Sequence, residues 1–276
     1  MANQNDETGN TPETEIIEEE EEEESLSVVE KFIGVFAYPV KTFTYLAQKP
    51  DFISALIIIS LISIGLNMIS LPKTMPLYEK QTIALLDKQM SAQSIPDNEK
   101  TKAMESALPM LRITYYVGKT LGVPIGLLIV WLLTSVLIFF IALGQGLDTD
   151  FKRLMGIIPW LSVVTLIQLI ISIVIYHTAD LSNVELEQDP YLLKPYSLLA
   201  FFPKSLGLPM MLQTLISSID PFLIWSFILT VIALMKANRC TKTQAIITTA
   251  IATIIGILVI SGISGMSDIV QVRAGA

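Results

Sequence analysis

Residues 52–71 read FISALIIISLISIGLNMISL, a run of twenty without a charge, preceded by Pro50-Asp51 and followed by Pro72-Lys73. At about 1.5 Å per residue, such a run crosses a hydrocarbon core about 30 Å thick. It lacks the apolar/polar alternation of a barrel strand, and backbone amides left unpaired in lipid are too costly, so the run must be a helix. Four further stretches have the same character, near 121–143, 154–176, 221–235 with flanking turns, and 245–263. The expected fold is therefore all-α and integral to the membrane, a bundle of five transmembrane helices.

Composition agrees once it is mapped. The chain of 276 residues is 52% hydrophobic and only 16% charged, where a soluble domain carries roughly a quarter. Its net charge of −8 is not spread evenly, because 12 of the 26 acids lie in the first thirty residues, where no Lys or Arg occurs. From Lys31 onward 18 basic face 14 acidic side chains, a net of +4. The leader, with seven consecutive glutamates at 18–24, cannot bury enough apolar surface to fold and is expected to be a disordered tail. It has neither the basic nor the apolar region of a signal peptide. Four segments follow: the acidic tail 1–24, an amphipathic juxtamembrane segment 25–50, the membrane domain 51–266 and a short C-terminal tail 267–276.

Orientation is read from Lys and Arg in the short connections. Lys236, Arg239 and Lys242 lie between spans four and five, Lys152 and Arg153 before span three, and Lys31, Lys41 and Lys49 before span one. Five crossings put these segments on one side, which predicts a cytoplasmic N-terminus and an external C-terminus. Between the spans, Leu26, Val29, Ile33 and Phe36 recur at helical spacing behind Ser25, a candidate cap. That helix reads equally as interfacial or as a foot packed under the bundle. Segment 72–112 reads as a helical hairpin lying on the bundle, with a capping-box-like start at Ser94-Ile95-Pro96-Asp97. Asp51 and Asp220 stand where N-caps belong, and Thr243 is expected to cap span five. The tryptophans Trp131, Trp160 and Trp225 are candidate interfacial anchors.

Polar groups within the spans mark candidate function, since each needs a partner or a wet cavity. They are Asn67, Gln168, Lys119 at the start of span two and Asp220 at the mouth of span four. Each also has a structural reading: Asp220 a cap, Lys119 a snorkelling side chain, Asn67 and Gln168 interhelical hydrogen bonds. Gly118, Gly122 and Gly126 recur every four positions, a stripe suited to close helix packing within a protomer or between protomers. With one cysteine (Cys240) and one histidine (His177), no catalytic, metal or cofactor-binding set is expected, and neither a Walker loop nor a dinucleotide fingerprint occurs. The expected partners are the lipid bilayer and either further copies of the chain or other membrane proteins, with no nucleic acid. A small transporter or permeation path lined by Asn67, Gln168 and Lys119 is the alternative.

The order of several short motifs relative to the spans carries a resemblance. Phe36-Ala37-Tyr38-Pro39, Thr42-Phe43-x-x-Leu46 and Lys49-Pro50 lead into span one, Leu143-Gly144-Gln145-Gly146 and Phe151-Lys152-Arg153 precede span three, and Ile219-Asp220-Pro221-Phe222-Leu223-Ile224-Trp225 opens span four. Together they resemble the YIP family of Ypt/Rab-interacting membrane proteins, in its bacterial branch, over about residues 35–260. The resemblance implies a five-helix membrane domain without catalytic activity, in a bacterial cytoplasmic membrane, acting as a membrane-organising or partner-binding module. Eukaryotic members bind prenylated small GTPases; this chain lacks their Asp-Leu-Tyr-Gly-Pro stretch, which speaks against GTPase binding.

Overall fold

The computed structural model describes residues 25–181 and 190–274, with side chains described up to residue 264. The acidic tail 1–24 thus lies outside the described residues, as does most of the acidic stretch before span four. Eleven α-helices and two short 3₁₀ turns make up the described chain, and none of its residues is in a strand.

Two short helices precede the bundle, α1 (Val28–Ala37) and α2 (Pro39–Gln48). The cap of α1 is Ser27 rather than Ser25: its hydroxyl accepts from the Glu30 amide while Glu30 accepts from the Ser27 amide, closing a capping box that Ser25 has no matching glutamate to form. Pro39 opens α2, where its missing N–H costs nothing. Val35, Phe43 and Leu46 are completely buried against the bundle, while Val29, Ile33, Tyr38 and Val40 project outward. The segment is therefore a foot under the bundle whose other face is still apolar, which suits the membrane interface.

Span one is the first half of α3 (Phe52–Ala92), a helix of 41 residues and about 60 Å. It does not end at Leu71 as the apolar run does. Pro72 and Pro76 lie inside it, and the hydroxyls of Ser70 and Thr74 bond back to the carbonyls of Asn67 and Ser70 around the weakened turns. The hairpin of segment 72–112 is thus α3's own extension paired with α4 (Asp97–Lys119), rather than a separate pair lying on the bundle. A Tyr78–Tyr115 stack at 4.4 Å and a two-bond Arg112–Glu79 ion pair, at 2.6 and 3.3 Å, hold it together. Ser94 does not cap α4: it takes a left-handed φ of 59° in the turn, and Pro96, which offers no side-chain bond, is the cap residue.

Span two is α5 (Gly122–Gly144). Span three divides into α6 (Phe151–Leu161) and α7 (Val163–Thr178) at Ser162, three residues after Pro159 has withdrawn an amide from the ladder. Beyond it come α8 (Pro190–Leu193), two 3₁₀ turns, and α9 (Met210–Ser217), which packs on the last helix. The seventeen residues of α10 (Pro221–Ala237) reach about 25 Å, short of a full crossing. With α9, from which α10 is bent by 59°, they make a broken span or a re-entrant loop. Four helices are long and apolar enough to cross, or five if the bent pair counts as one. The last, α11 (Lys242–Ala274), is capped by Thr241 through a reciprocal bond pair with Gln244, so the cap lies two residues before Thr243. It also runs on past the apolar stretch to Ala274.

The core centres on α6, with α2, α5 and α10 around it. Trp131 and Trp160 sit there, 2% and 0% exposed, and are core residues rather than interfacial anchors because each indole N–H has an internal acceptor. Gly156 is where α6 meets Pro50: a Cβ at this position would collide with the proline ring and press on the Asp51 amide. Gly126 faces open space. Gly156→Ala should therefore cost about 1–3 kcal/mol and lower the melting temperature in detergent, whereas Gly126→Ala should not lower it. Equal melting of Gly156→Ala and wild type would show that the Pro50 contact is not tight.

Candidate functional site

At the start of α3, the Asp51 carboxylate has two tasks. Oδ1 accepts the Ser54 amide at 3.1 Å, which caps the helix, and Oδ2 accepts the Lys31 ammonium at 2.6 Å. The Asp51 carbonyl takes the Trp160 indole N–H at 2.8 Å. Lys31, 7% exposed, also lies over the rings of Tyr45 and Trp160 at 5.4 and 5.9 Å. One short node thus joins α1, α2, α3 and α6. Burial pushes the Asp51 carboxyl up, but the Lys31 hydrogen bond and the Ser54 amide outweigh it and hold it below the ordinary carboxylate range.

Next to this node is a cavity of about 520 Å³. Its walls are Thr44, Ala47 and Gln48 from α2, Pro50, Asp150, Lys152 and Arg153 at the start of α6, and Lys236 and Arg239 at the end of α10. Four cations thus face one carboxylate, and that carboxylate is already engaged: Asp150 caps α6 through the Lys152 amide at 2.8 Å and pairs with Arg153 at 3.4 Å. Among the described residues no carboxylate pairs with Lys152, Lys236 or Arg239. Arg239 holds a φ of 50° immediately after the α10 cap Asn238, a position glycine or asparagine ordinarily takes.

A second polar node sits about 25 Å along the spans from the basic ends, at the bend between α9 and α10. Asp220 is 5% exposed; its Oδ1 accepts the Leu223 amide at 2.7 Å as the cap of α10, and Oδ2 accepts from Gln168 at 3.3 Å and pairs with Lys194 at 3.5 Å. The sequence placed Asp220 and Gln168 apart, and the fold joins them. On the same side a cavity of about 620 Å³ opens between the α3 extension, α8, α9 and α11, with Tyr78, Gln81, Thr82, Lys194 and Thr214 among its lining.

The remaining sequence candidates lie elsewhere. Asn67 offers its carbonyl to Ser70 inside α3. Lys119 lies over the Tyr115 ring at 5.1 Å, at the last turn of α4. Trp225 is 38% exposed on α10. The glycine stripe is interrupted by the break between α4 and α5: Gly118 lies in the last turn of one helix, Gly122 starts the next, and neither Gly118 nor Gly126 has an atom within 4 Å of a would-be Cβ. Sequence reasoning missed Lys31, Lys194 and the bonds Trp131 to Ser162 (2.7 Å) and Gln145 to Thr248 (2.8 Å). In the sequence Lys31 stands as a topology charge; its helical register with Gly34 and Val35, which face inward, is the signal of its burial. Among the described residues no group of three His, Cys, Asp or Glu side chains is placed to hold a metal ion.

Apolar helices of spanning length, a buried polar node at each end of the bundle and a basic cavity on one face define a multi-pass integral membrane protein. The Yip1 domain pattern matches residues 33–263, most of the chain, and the protein belongs to that family. No curated protein matches it, nor does any solved structure.

Because the folded Asp51 carboxyl titrates lower than an unfolded one, its contribution to stability is present above about pH 4 and is lost on acidification below that. Asp51→Asn removes this component. Wild type should therefore lose more melting temperature than the variant between about pH 5 and about pH 3. Parallel curves would show that the node is not ionised in the fold.

Proposed function

We propose that the protein is a non-catalytic binding module whose working surface is the basic face. The observation that carries this reading is the cavity at the ends of α2, α6 and α10, where three of four cations lack a carboxylate partner among the described residues. The larger interhelical hydrogen bonds elsewhere in the bundle hold helices together: Gln168 to Asp220, Gln145 to Thr248, Trp131 to Ser162. Basic residues gathered at one end also support placing that end in the cytoplasm and, with a fifth crossing, the far end of α11 outside. A cytoplasmic bacterial membrane fits this reading.

One observation favours transport instead. A span broken by 59° with a buried carboxylate at the break is a form that transporters use for substrate sites. Asp220 is, however, neutralised by Lys194 and bonded by Gln168, so it offers no free charge to a solute.

Crosslinking in native membranes distinguishes the two readings. The full chain should capture partners that Lys152→Gln/Lys236→Gln/Arg239→Gln loses, and liposomes carrying wild type should show no solute flux sensitive to Gln168→Leu. Partner capture indifferent to the triple substitution, or flux lost with Gln168→Leu, would contradict the proposal. Orientation has its own test in Cys240, whose thiol burial pushes upward and which lies on the basic face. An impermeant thiol reagent outside intact cells should leave it unmodified, and modification would reverse the assignment.

A further inference from the structure

We propose that the basic cavity is a phosphate site, taking the phosphate of an anionic lipid headgroup or of a soluble phosphorylated molecule. The inference rests on the reading of the basic face as the working surface and says what that surface recognises.

The charge balance comes first. Lys152, Arg153, Lys236 and Arg239 line one cavity with Asp150, a balance of +3. Like charges gathered around about 520 Å³ repel one another, and an anion in their midst turns that repulsion into attraction. The donors match phosphate. The Arg239 guanidinium fork offers paired N–H groups to two oxygens, Arg153 adds the N–H groups it keeps outside its Asp150 pair, and two ammonium groups act as point charges. Gln48 adds a neutral donor on the α2 wall, while the Thr44 hydroxyl already donates to the Val40 carbonyl at 2.7 Å. A carboxylate ligand would use fewer of these donors, since phosphate presents an additional oxygen.

A separate observation concerns Arg239. It is one of only two residues other than glycine with positive φ among the described residues, and the other, Ser94, belongs to the tight turn between α3 and α4. Left-handed backbone disfavours an arginine relative to glycine in such a cap. An arginine there, at the mouth of a cavity with three other cations, gives the unfavourable backbone a use that a glycine cap would not have.

Position favours a lipid source. The cavity is bounded by Pro50, one residue before the Asp51 cap from which the apolar part of α3 begins, and by the first turn of α6 and the end of α10. Those are the levels at which spans leave the hydrocarbon, where lipid phosphates lie. The α1–α2 foot, with Val29, Ile33 and Val40 turned outward, keeps apolar surface beside the same level.

The test uses the full chain reconstituted in vesicles of phosphatidylcholine alone and of phosphatidylcholine with phosphatidylglycerol, and, in the neutral vesicles, with added glycerol 3-phosphate. Melting temperature and native mass spectrometry of retained lipid are read at low and high salt. Wild type should melt higher and retain phosphatidylglycerol in the mixed vesicles, with the gain shrinking as salt rises. Lys236→Gln/Arg239→Gln should bind about thirtyfold more weakly, while Lys204→Gln, a cation on the opposite side, should match wild type. A response to glycerol 3-phosphate without one to phosphatidylglycerol supports the site with a soluble source; the reverse supports the lipid source. No response to either, or equal loss in the Lys204 control, overturns the proposal. Salt-sensitive stability in neutral vesicles that vanishes in Lys236→Gln/Arg239→Gln without any phosphate response would put the chain's own glutamates 18–24 in the cavity, and also overturns it. If phosphate binding fails while partner capture persists, the phosphate assignment falls alone; if both fail, so does the reading of the basic face.

Discussion

Asp51 holds the arrangement together because three separate requirements meet on one residue. A helix entering lipid must have its first amides capped, and Oδ1 does this for Ser54. A lysine drawn under the bundle must have a counter-charge, and Oδ2 supplies it to Lys31. A buried indole needs an acceptor, and the Asp51 carbonyl serves Trp160. Removing the carboxylate would leave an ammonium 7% exposed without its partner, a loss that runs to several kcal/mol for buried pairs and less for this partly open one. Gly156 lets Pro50 rest on α6, the helix from which Trp160 reaches the Asp51 carbonyl.

From that node the basic face takes its form. Pro50 is at once the residue pressed on Gly156 and part of the wall of the cavity, so one contact joins the segment after the foot, the core helix α6 and the cavity. At the other end of the bundle charge is handled differently. Asp220 and Lys194 pair beside Gln168 at the bend between α9 and α10. Among the described residues, one end therefore keeps positive charge without a carboxylate partner, and the other encloses a matched pair.

Much of this was legible from the chain. Uncharged runs of about twenty residues without apolar/polar alternation identify helices because lipid leaves only helices and closed barrels, and the caps Asp51 and Asp220 sit where the sequence puts them. What was not legible depends on tertiary contact. The apolar run stops at Leu71, yet α3 continues, because its extension is supported by α4 through Tyr115 and Arg112, which lie more than thirty residues away in sequence. Trp131 and Trp160 look like interfacial anchors from position alone; only the fold reveals Ser162 and Asp51 as their acceptors. Lys236, Arg239, Lys152 and Arg153 were readable as topology charges, but their convergence on one cavity with α2 required the N-terminal foot to be folded under the bundle.

That folding under is the claim on which the account turns, and hydrogen exchange in nanodiscs tests it most directly. The amides of α2 around Phe43 and Leu46 should exchange as slowly as those of α6, and Asp51→Asn should accelerate α2 while leaving α5 unchanged. If α2 in wild type exchanges at the rate of a peptide lying free on the membrane surface, the foot is not part of the bundle, and neither the Asp51 node nor the cavity beside it exists as described.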